Sequence, residues 1–285
     1  MADRPVRRKP QLNRARVQHV ERLTPHMIRV VLGGEGLTGF PVGEYSDHYI
    51  KLLFPAEGVR YPEPFDIQRI RADFPRDQWP RVRTYTVRRW NAQARELTVD
   101  FVYHGDEGLA GPWAARVQPG EEVLFLGPGG AYAPDSAADW HLFVGDESAL
   151  PAIAASLERL PEGAPARVFV EVSGPEEEQK LSTPGDAEVV WVHRGSGRVG
   201  EELVRLVAGL EFPPGDVQAF VHGEAGFVKR LRHLLRVELG VPRERLSISG
   251  YWRTGHDEDG WQASKPDWNR RIEEEQETPP QALAS

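Results

Sequence analysis

The hydrophobic period of the chain changes near Gly127. Before it, the segments with strand character are short, β-branched and separated by Gly, Pro and Asp: Met27 to Leu32, Tyr49 to Phe54, Val82 to Trp90, Leu97 to Tyr103 and Glu122 to Leu126. Strands at this density with Pro-rich connections predict a small antiparallel barrel or sandwich rather than a helical domain. Pro55 to Pro80 is long, polar and Pro-rich, and reads as an excursion from that sheet. After Gly127, buried strands His141 to Val144, Arg167 to Val172, Glu188 to Val192 and Val217 to Val221 alternate with helical patterns, which predicts an α/β unit with a mostly parallel sheet. One helix has Leu150, Ile153, Ala154 and Leu157 on one face; a second runs from Phe227 to Leu239 and stops at Gly240, with Pro242 beyond.

Four regions follow. Residues 1–15 read as a basic flexible arm, 16–130 as the barrel, 131–255 as the α/β domain and 256–285 as an acidic extension. In the extension, Ser264 and Asp267 are spaced as a capping box before a peripheral helix, with disorder expected from about Thr278. The chain has 285 residues, enough for two cores and therefore a cleft between them.

Composition removes several chemistries. With no cysteine there is no disulfide, no thiolate zinc site, no cysteine-held iron–sulfur cluster and no cysteine nucleophile, so redox chemistry has to come from a cofactor. Residues 1–16 carry six Arg/Lys against one Asp and residues 254–285 carry eight Asp/Glu against three Arg/Lys; the central part holds the whole net charge of −8. A basic arm alone is not a nucleic-acid-binding domain, so no nucleic-acid partner is expected. No run approaches the about 18 apolar residues of a membrane span, and no apolar stretch follows the basic arm as in a secretory signal. No membrane insertion and a cytoplasmic location are the expectations. His256 with Asp257, Glu258 and Asp259 reads as a solvated acidic run, and no metal site is expected.

The candidate chemistry lies first on one strand. Alternation puts Arg83, Tyr85 and Val87 on one face and Thr84, Thr86 and Arg88 on the other. An Arg clamps a pyrophosphate bidentately, a Tyr stacks on an aromatic ring system, and a Thr hydroxyl bonds a ring nitrogen or phosphate; together these suit a flavin dinucleotide. Asp100, Phe101, Val102, Tyr103, His104 and Gly105 form a second strand ending in glycine, followed by Leu109, Ala110, Gly111, Pro112, Trp113 and Ala114. There a helix start offers free N–H groups to phosphate. In the second half, no G-x-G-x-x-G follows the first α/β strand, and Asp146 and Glu147 stand where a glycine-rich turn receives a pyrophosphate. Two carboxylates repel it, so weak NADH or NADPH binding, or delivery of electrons by a partner such as a ferredoxin, is expected. Ser148 lacks the G-x-S-x-G elbow of a serine hydrolase.

These motifs, with Gly145 to Ile153, His222 to Gly226 and Gly250 to Gly255, occur in the order found in the siderophore-interacting proteins, and the sequence resembles that family from residue 15 to 255. The family consists of bacterial FAD-containing ferric-siderophore reductases within the ferredoxin-reductase-like flavoproteins. The resemblance implies an antiparallel six-stranded barrel that holds FAD non-covalently, and a ferredoxin-reductase-like α/β domain that closes over it. By motif position, Arg83, Thr84, Tyr85 and Thr86 face the flavin and its phosphates; Asp100, Phe101, Val102 and His104 line the isoalloxazine and ribityl region. Gly111, Pro112 and Trp113 hold the phosphate and adenine side, while Asp146, Ser148, Ala149 and Trp252 approach from the second domain. Lys51 and Arg253 match the family's basic substrate pocket for an anionic ferric siderophore, and the loop Gly127 to Gly130 lacks the basic residue that some relatives carry. The implied activity is one-electron reduction of ferric siderophore by reduced FAD. The alternatives are a general NAD(P)H flavin reductase and a non-catalytic siderophore-binding protein.

Overall fold

In the first domain, seven strands pair antiparallel. The computed structural model describes residues 11–277. The strands are β1 (Leu12–Thr24), β2 (Met27–Gly33), β3 (Tyr49–Phe54), β4 (Arg81–Thr86), β5 (Arg89–Asn91), β6 (Glu96–Val102) and β7 (Glu122–Gly129), in the order β4-β3-β7-β1-β2-β6-β5. The sheet curls until the Tyr85 ring on β4 lies 4.3 Å from Phe101 on β6. Its inner face buries Val30, Leu32, Ile50, Leu52, Leu97, Val99 and Phe125.

The count of seven corrects the expected six. The run Val82 to Trp90 breaks at Val87, whose N–H donates to His48 O at 2.6 Å, while Arg88 N–H donates to Thr98 O at 2.9 Å. One strand thereby becomes β4 and the short β5. The expected arm is also shortened: β1 begins at Leu12 and pairs with β7 through Leu12 opposite Leu126 and Ala15 opposite Val123. Asn13, Ala15 and Val17 point inward while Arg14, Arg16 and Gln18 point out, so the basic residues are the solvent face of a strand. Residues 1–10 lie outside the described residues. The excursion contains α1 (Ile67–Asp73), capped by the Asp66 carboxylate, which accepts from Gln68 N–H at 2.8 Å and Arg69 N–H at 3.2 Å. A second short helix, α2 (Ala110–Arg116), connects β6 to β7.

The second domain is a parallel sheet in the order β10-β9-β8-β11-β12, from β8 (Trp140–Gly145), β9 (Pro165–Val172), β10 (Asp186–His193), β11 (Val217–Glu224) and β12 (Leu246–Trp252). The crossovers are α3 (Leu150–Leu157), α4 (Glu201–Ala208) and α5 (Ala225–His233), and an apolar core lies on each face of the sheet. The expected helix to Leu239 is α-helical only to His233. It continues as a π turn in which Leu239 N–H reaches back to Leu234 O at 2.9 Å, leaving Val237 and Leu239 exposed.

The last helix, α6 (Glu258–Glu277), starts six residues before the expected capping serine. Asp257 Oδ1 accepts from Gly260 N–H at 2.7 Å at the helix start, and Ser264 Oγ instead donates back to Gly260 O at 2.9 Å. Trp261, Trp268 and Ile272 anchor the helix: Trp261 is fully buried and lies against Trp268, which packs on the core beside α5. The disorder expected from Thr278 falls outside the described residues. The two domains are pinned together by the buried Glu177, which accepts from Thr24 Oγ1 and His26 N–H and pairs with His26 Nδ1 at 2.6 Å, and by Arg88–Glu158 at 2.6 Å.

Candidate functional site at the junction of the two sheets

The parallel sheet presents its C-terminal edge to the barrel, the place where open α/β sheets bind ligands. β8 ends at Gly145, where a Cβ would come within 2.6 Å of Ala149 Cβ and 2.9 Å of His222 O, so only glycine permits this tight exit. The next residue, Asp146, is completely buried and works as a clamp. It accepts from Ser148 N–H (3.0 Å), Ser148 Oγ (2.5 Å), Glu224 N–H (2.8 Å) and Trp252 Nε1 (2.8 Å), tying the ends of β8, β11 and β12 together. Burial, reinforced by the neighbouring Glu147, pushes its carboxyl up to about 6 against the pull of those donors. Glu147 is held by Arg194 at 2.9 Å, and Arg194 also reaches the buried Glu171 at 3.1 Å. Ala149 is buried under α3. Asp146, Ser148 and Trp252 therefore come together, in one another's hydrogen bonds.

On the barrel side, Arg83 is buried on β4, an edge strand, and its guanidinium is occupied. Nη1 and Nη2 donate to the two oxygens of Asp259 at 2.8 and 3.0 Å, Nε lies 3.2 Å from Glu258 Oε2, and Nη1 also donates to Val82 O at 2.8 Å. Thr84 is exposed and its N–H donates to Glu258 Oε1 at 3.2 Å. Tyr85 packs on the core and Thr86 is buried. Burial raises the Tyr85 phenol above its ordinary range, so the ring is a neutral aromatic surface. Phe101 is a core residue between Tyr85 and Trp113, with ring centroids at 4.3 and 5.4 Å. Asp100 is buried and gripped by Arg29 through Nε at 2.7 Å and Nη2 at 2.8 Å. Val102 packs against the second domain's core, and His104 is exposed 6.1 Å from the His26 ring. Gly111 and Pro112 are buried at the start of α2; a Cβ on Gly111 would come 2.8 Å from Val102 O, so glycine lets the helix press on β6.

Of the two expected substrate cations, Lys51 is not among the residues that line the cleft holding Arg253. Arg253 lines a cleft of about 280 Å³ between α5 and α6 with Glu224, Lys229, Trp268 and Arg271. Lys51 is exposed on β3 opposite Thr84. Its field lowers the Lys265 ammonium of α6, which burial lowers first, and Lys265 Nζ donates to Ser249 Oγ of β12 at 3.0 Å. Lys265, Glu258 and Asp259 are absent from the candidate site residues read from the sequence, because the acidic run reads as solvated and a lone lysine on a polar helix carries no signal. Among the described residues no group of His, Asp and Glu is arranged for a metal ion, and no helix is long and apolar enough to cross a membrane.

The donor set fits a flavin dinucleotide in its chemistry. A buried guanidinium and two threonines lie on β4, α2 starts without a side-chain cap after β6, and the rings of Tyr85 and Trp113 flank Phe101. The departures are Asp100, committed to Arg29, and Arg83, committed to two carboxylates of α6.

An antiparallel barrel carrying these groups, followed by a five-stranded parallel sheet, defines a ferredoxin-reductase-like flavoprotein architecture. The chain belongs to the siderophore-interacting protein family: residues 16–132 match the siderophore-interacting FAD-binding domain and residues 138–255 match the siderophore-interacting protein domain. It is 35% identical over 247 residues to ferric vibriobactin reductase ViuB of Vibrio cholerae, covering 84% of this chain and 88% of that one. It is 29% identical over 239 residues to the NADPH-dependent ferric-chelate reductase of Escherichia coli, covering 83% and 91%. The crystal structure of a siderophore utilization protein from T. fusca superposes with a TM-score of 0.76 at 38% identity, covering 87% of this chain and 95% of that one. These relatives support a siderophore-related flavin reductase.

Proposed function

We propose that this protein reduces ferric siderophore to the ferrous form by one-electron transfer from non-covalently bound FAD, releasing iron inside the cell. The observation that carries this reading is the register of β3 on β4. Lys51 lies opposite Thr84, between Arg83 and Tyr85, so a substrate-attracting cation sits one strand from the flavin motif. When bound, the flavin supplies the ability to accept electrons in pairs and to release them singly. Arg83 and the start of α2 would hold the phosphates, and Tyr85 and Trp113, backed by the buried Phe101, give the barrel side an apolar, aromatic surface that excludes water. Asp146 keeps Trp252 and Ser148 fixed at the opposite wall.

Ferric catecholate and mixed hydroxamate–catecholate complexes are often anionic; Lys51, with Lys265 near it, attracts them to the flavin side of the barrel, and Arg253 adds positive charge from the separate α5–α6 cleft. Ferrous iron carries less charge, so oxygen-rich ligands retain it less tightly and reduction frees the metal. No acid, base or nucleophile is required; the side chains bind and orient. The electron donor is NADH or NADPH bound weakly, or a ferredoxin, because the buried Asp146 with Glu147 fills the turn that a dinucleotide pyrophosphate would need.

The test is purification followed by absorbance and chromatographic identification of the bound flavin, then exposure of the photoreduced protein to a ferric catecholate complex without oxygen. Bound FAD whose reduced form is reoxidised by the complex supports the reading. A colourless protein that takes up no FAD overturns it in favour of a siderophore-binding role.

A further inference from the structure

Arg83 is doubly occupied in a way that its proposed task does not allow. A guanidinium has five N–H groups. Of these, one goes to Asp259 Oδ1, one to Asp259 Oδ2 and one to Val82 O, while Glu258 Oε2 stands 3.2 Å from Nε as an ion pair. Asp259 thereby fills the Nη1–Nη2 edge and Glu258 stands at Nε, so a phosphate approaching Arg83 on either edge meets a carboxylate already there. The carboxylates reach Arg83 from α6, across 176 residues of sequence, and Glu258 also accepts from the Thr84 N–H on the same strand. Two carboxylates thus sit on the arginine, one bidentate through Asp259 and one ion-paired through Glu258, an arrangement of charge comparable to two adjacent phosphates. Arg83 itself is buried, whereas the Asp259 side chain is 53% exposed, so the outer carboxylate faces solvent along the open side of the pair.

Resting on the reading of Arg83 as a flavin phosphate ligand, we propose that Glu258 and Asp259 form an internal latch that stands in for the FAD pyrophosphate on Arg83 in the flavin-free protein and is exchanged for it on loading. The latch completes the coordination of a buried cation that would otherwise be unpaired, a costly state. It also makes flavin binding a competition: phosphates gain Arg83 only as the carboxylates leave, and two negative charges held nearby oppose their entry. The exchange involves side chains alone. Trp261, fully buried two residues beyond Asp259, keeps the helix docked, and Lys229–Glu275 at 2.6 Å and Arg243–Glu273 at 3.0 Å hold its far end. The acidic extension is therefore a regulator of flavin occupancy as well as a covering helix. Its action discriminates flavins that carry phosphate from those that do not.

The experiment uses the full chain stripped of flavin, as wild type, Asp259→Asn and the double variant Glu258→Gln, Asp259→Asn. Both substitutions keep shape and one acceptor while removing charge. Affinities for FAD and for riboflavin, which has no phosphate, are read from quenching of flavin fluorescence. The expected result is FAD bound about tenfold more tightly by the double variant, an intermediate gain for Asp259→Asn, and riboflavin affinity unchanged within about twofold. The thermal midpoint of the flavin-free double variant falls below that of the wild type, while the FAD-loaded proteins melt alike. Wild type that binds FAD with an affinity equal to or better than the double variant's refutes the latch and leaves the flavin reading intact. Equal tightening toward riboflavin also refutes it, since the substitutions would then only open the cleft. Failure of all three proteins to bind FAD overturns the flavin reading and the latch together.

Discussion

Replacing Asp146 with Asn should make the protein's stability respond to pH in a defined direction. The carboxyl is completely buried and its folded-state pKa is raised from 3.8 to about 6, with burial the largest cause and Glu147 the second. A group whose pKa is higher folded than unfolded favours the folded state below the unfolded value and loses that contribution as pH rises through the folded value. The window therefore lies between about pH 4 and pH 6. At about 1.4 kcal/mol per unit, ionising Asp146 costs the wild type on the order of 3 kcal/mol above that window, most of it falling between pH 4 and pH 8. Asn carries no charge, so it lacks this penalty, although it replaces an acceptor oxygen by an NH2 facing the Ser148, Glu224 and Trp252 donors.

The loss of hydrogen bonding is the same at both pH values and cancels when the difference between variant and wild type is compared. Urea unfolding of both proteins at pH 4 and pH 8 should show the variant gaining about 2 kcal/mol on the wild type between the two. No change in that difference, or a change of opposite sign, would mean that the four donors compensate burial and that Asp146 is an ordinary carboxylate.

Arg83→Ala should lower flavin occupancy on purification, checked by the ratio of flavin to protein absorbance; a fully loaded variant contradicts its phosphate role. Lys51→Ala and Arg253→Ala should each weaken ferric-siderophore binding several-fold in tryptophan-quenching titrations with flavin content intact, and wild-type affinity in both would displace the proposed pocket. Trp261→Ala removes the largest fully buried side chain, and should cost about 3–5 kcal/mol in chemical denaturation and free α6 to protease. Calorimetry with NADH should give a dissociation constant no tighter than micromolar, because Asp146 and Glu147 hold the pyrophosphate position; nanomolar binding would contradict that.

The two-domain plan was legible because period alone distinguishes the halves. β3 runs from Tyr49 to Phe54 as the alternation predicts, and β8 to β11 fall within a few residues of their apolar runs. β1 was not, since three of its outward residues are Arg14, Arg16 and Gln18 and its inward ones include Asn13, so that composition resembles a basic arm more than a strand. The start of α6 was missed for a similar reason: Asp257, Glu258 and Asp259 look like solvated charge until Arg83 is brought to them.

For the candidate site, the motifs name residues on β4, β6 and β12 and just after β8, but not the partners those residues take. Asp100 is set by Arg29, 71 residues away, and Asp146 by Glu224 and Trp252, 78 and 106 residues away. Such commitments depend on which strands neighbour one another, and local pattern does not encode that. Lys265 illustrates the limit from the other side, because only folding brings a helix lysine beside Lys51 and Ser249.

Single-electron reduction of a ferric siderophore by bound FAD fixes how many ferrous ions each reduced flavin yields. Photoreduced protein is mixed without oxygen with excess ferric siderophore and a ferrous chelator, and flavin reoxidation and chelated iron are followed together. Two ferrous ions per reduced flavin, appearing as the bound flavin reoxidises, is the expected result. A flavin that stays reduced with no ferrous iron formed would contradict it.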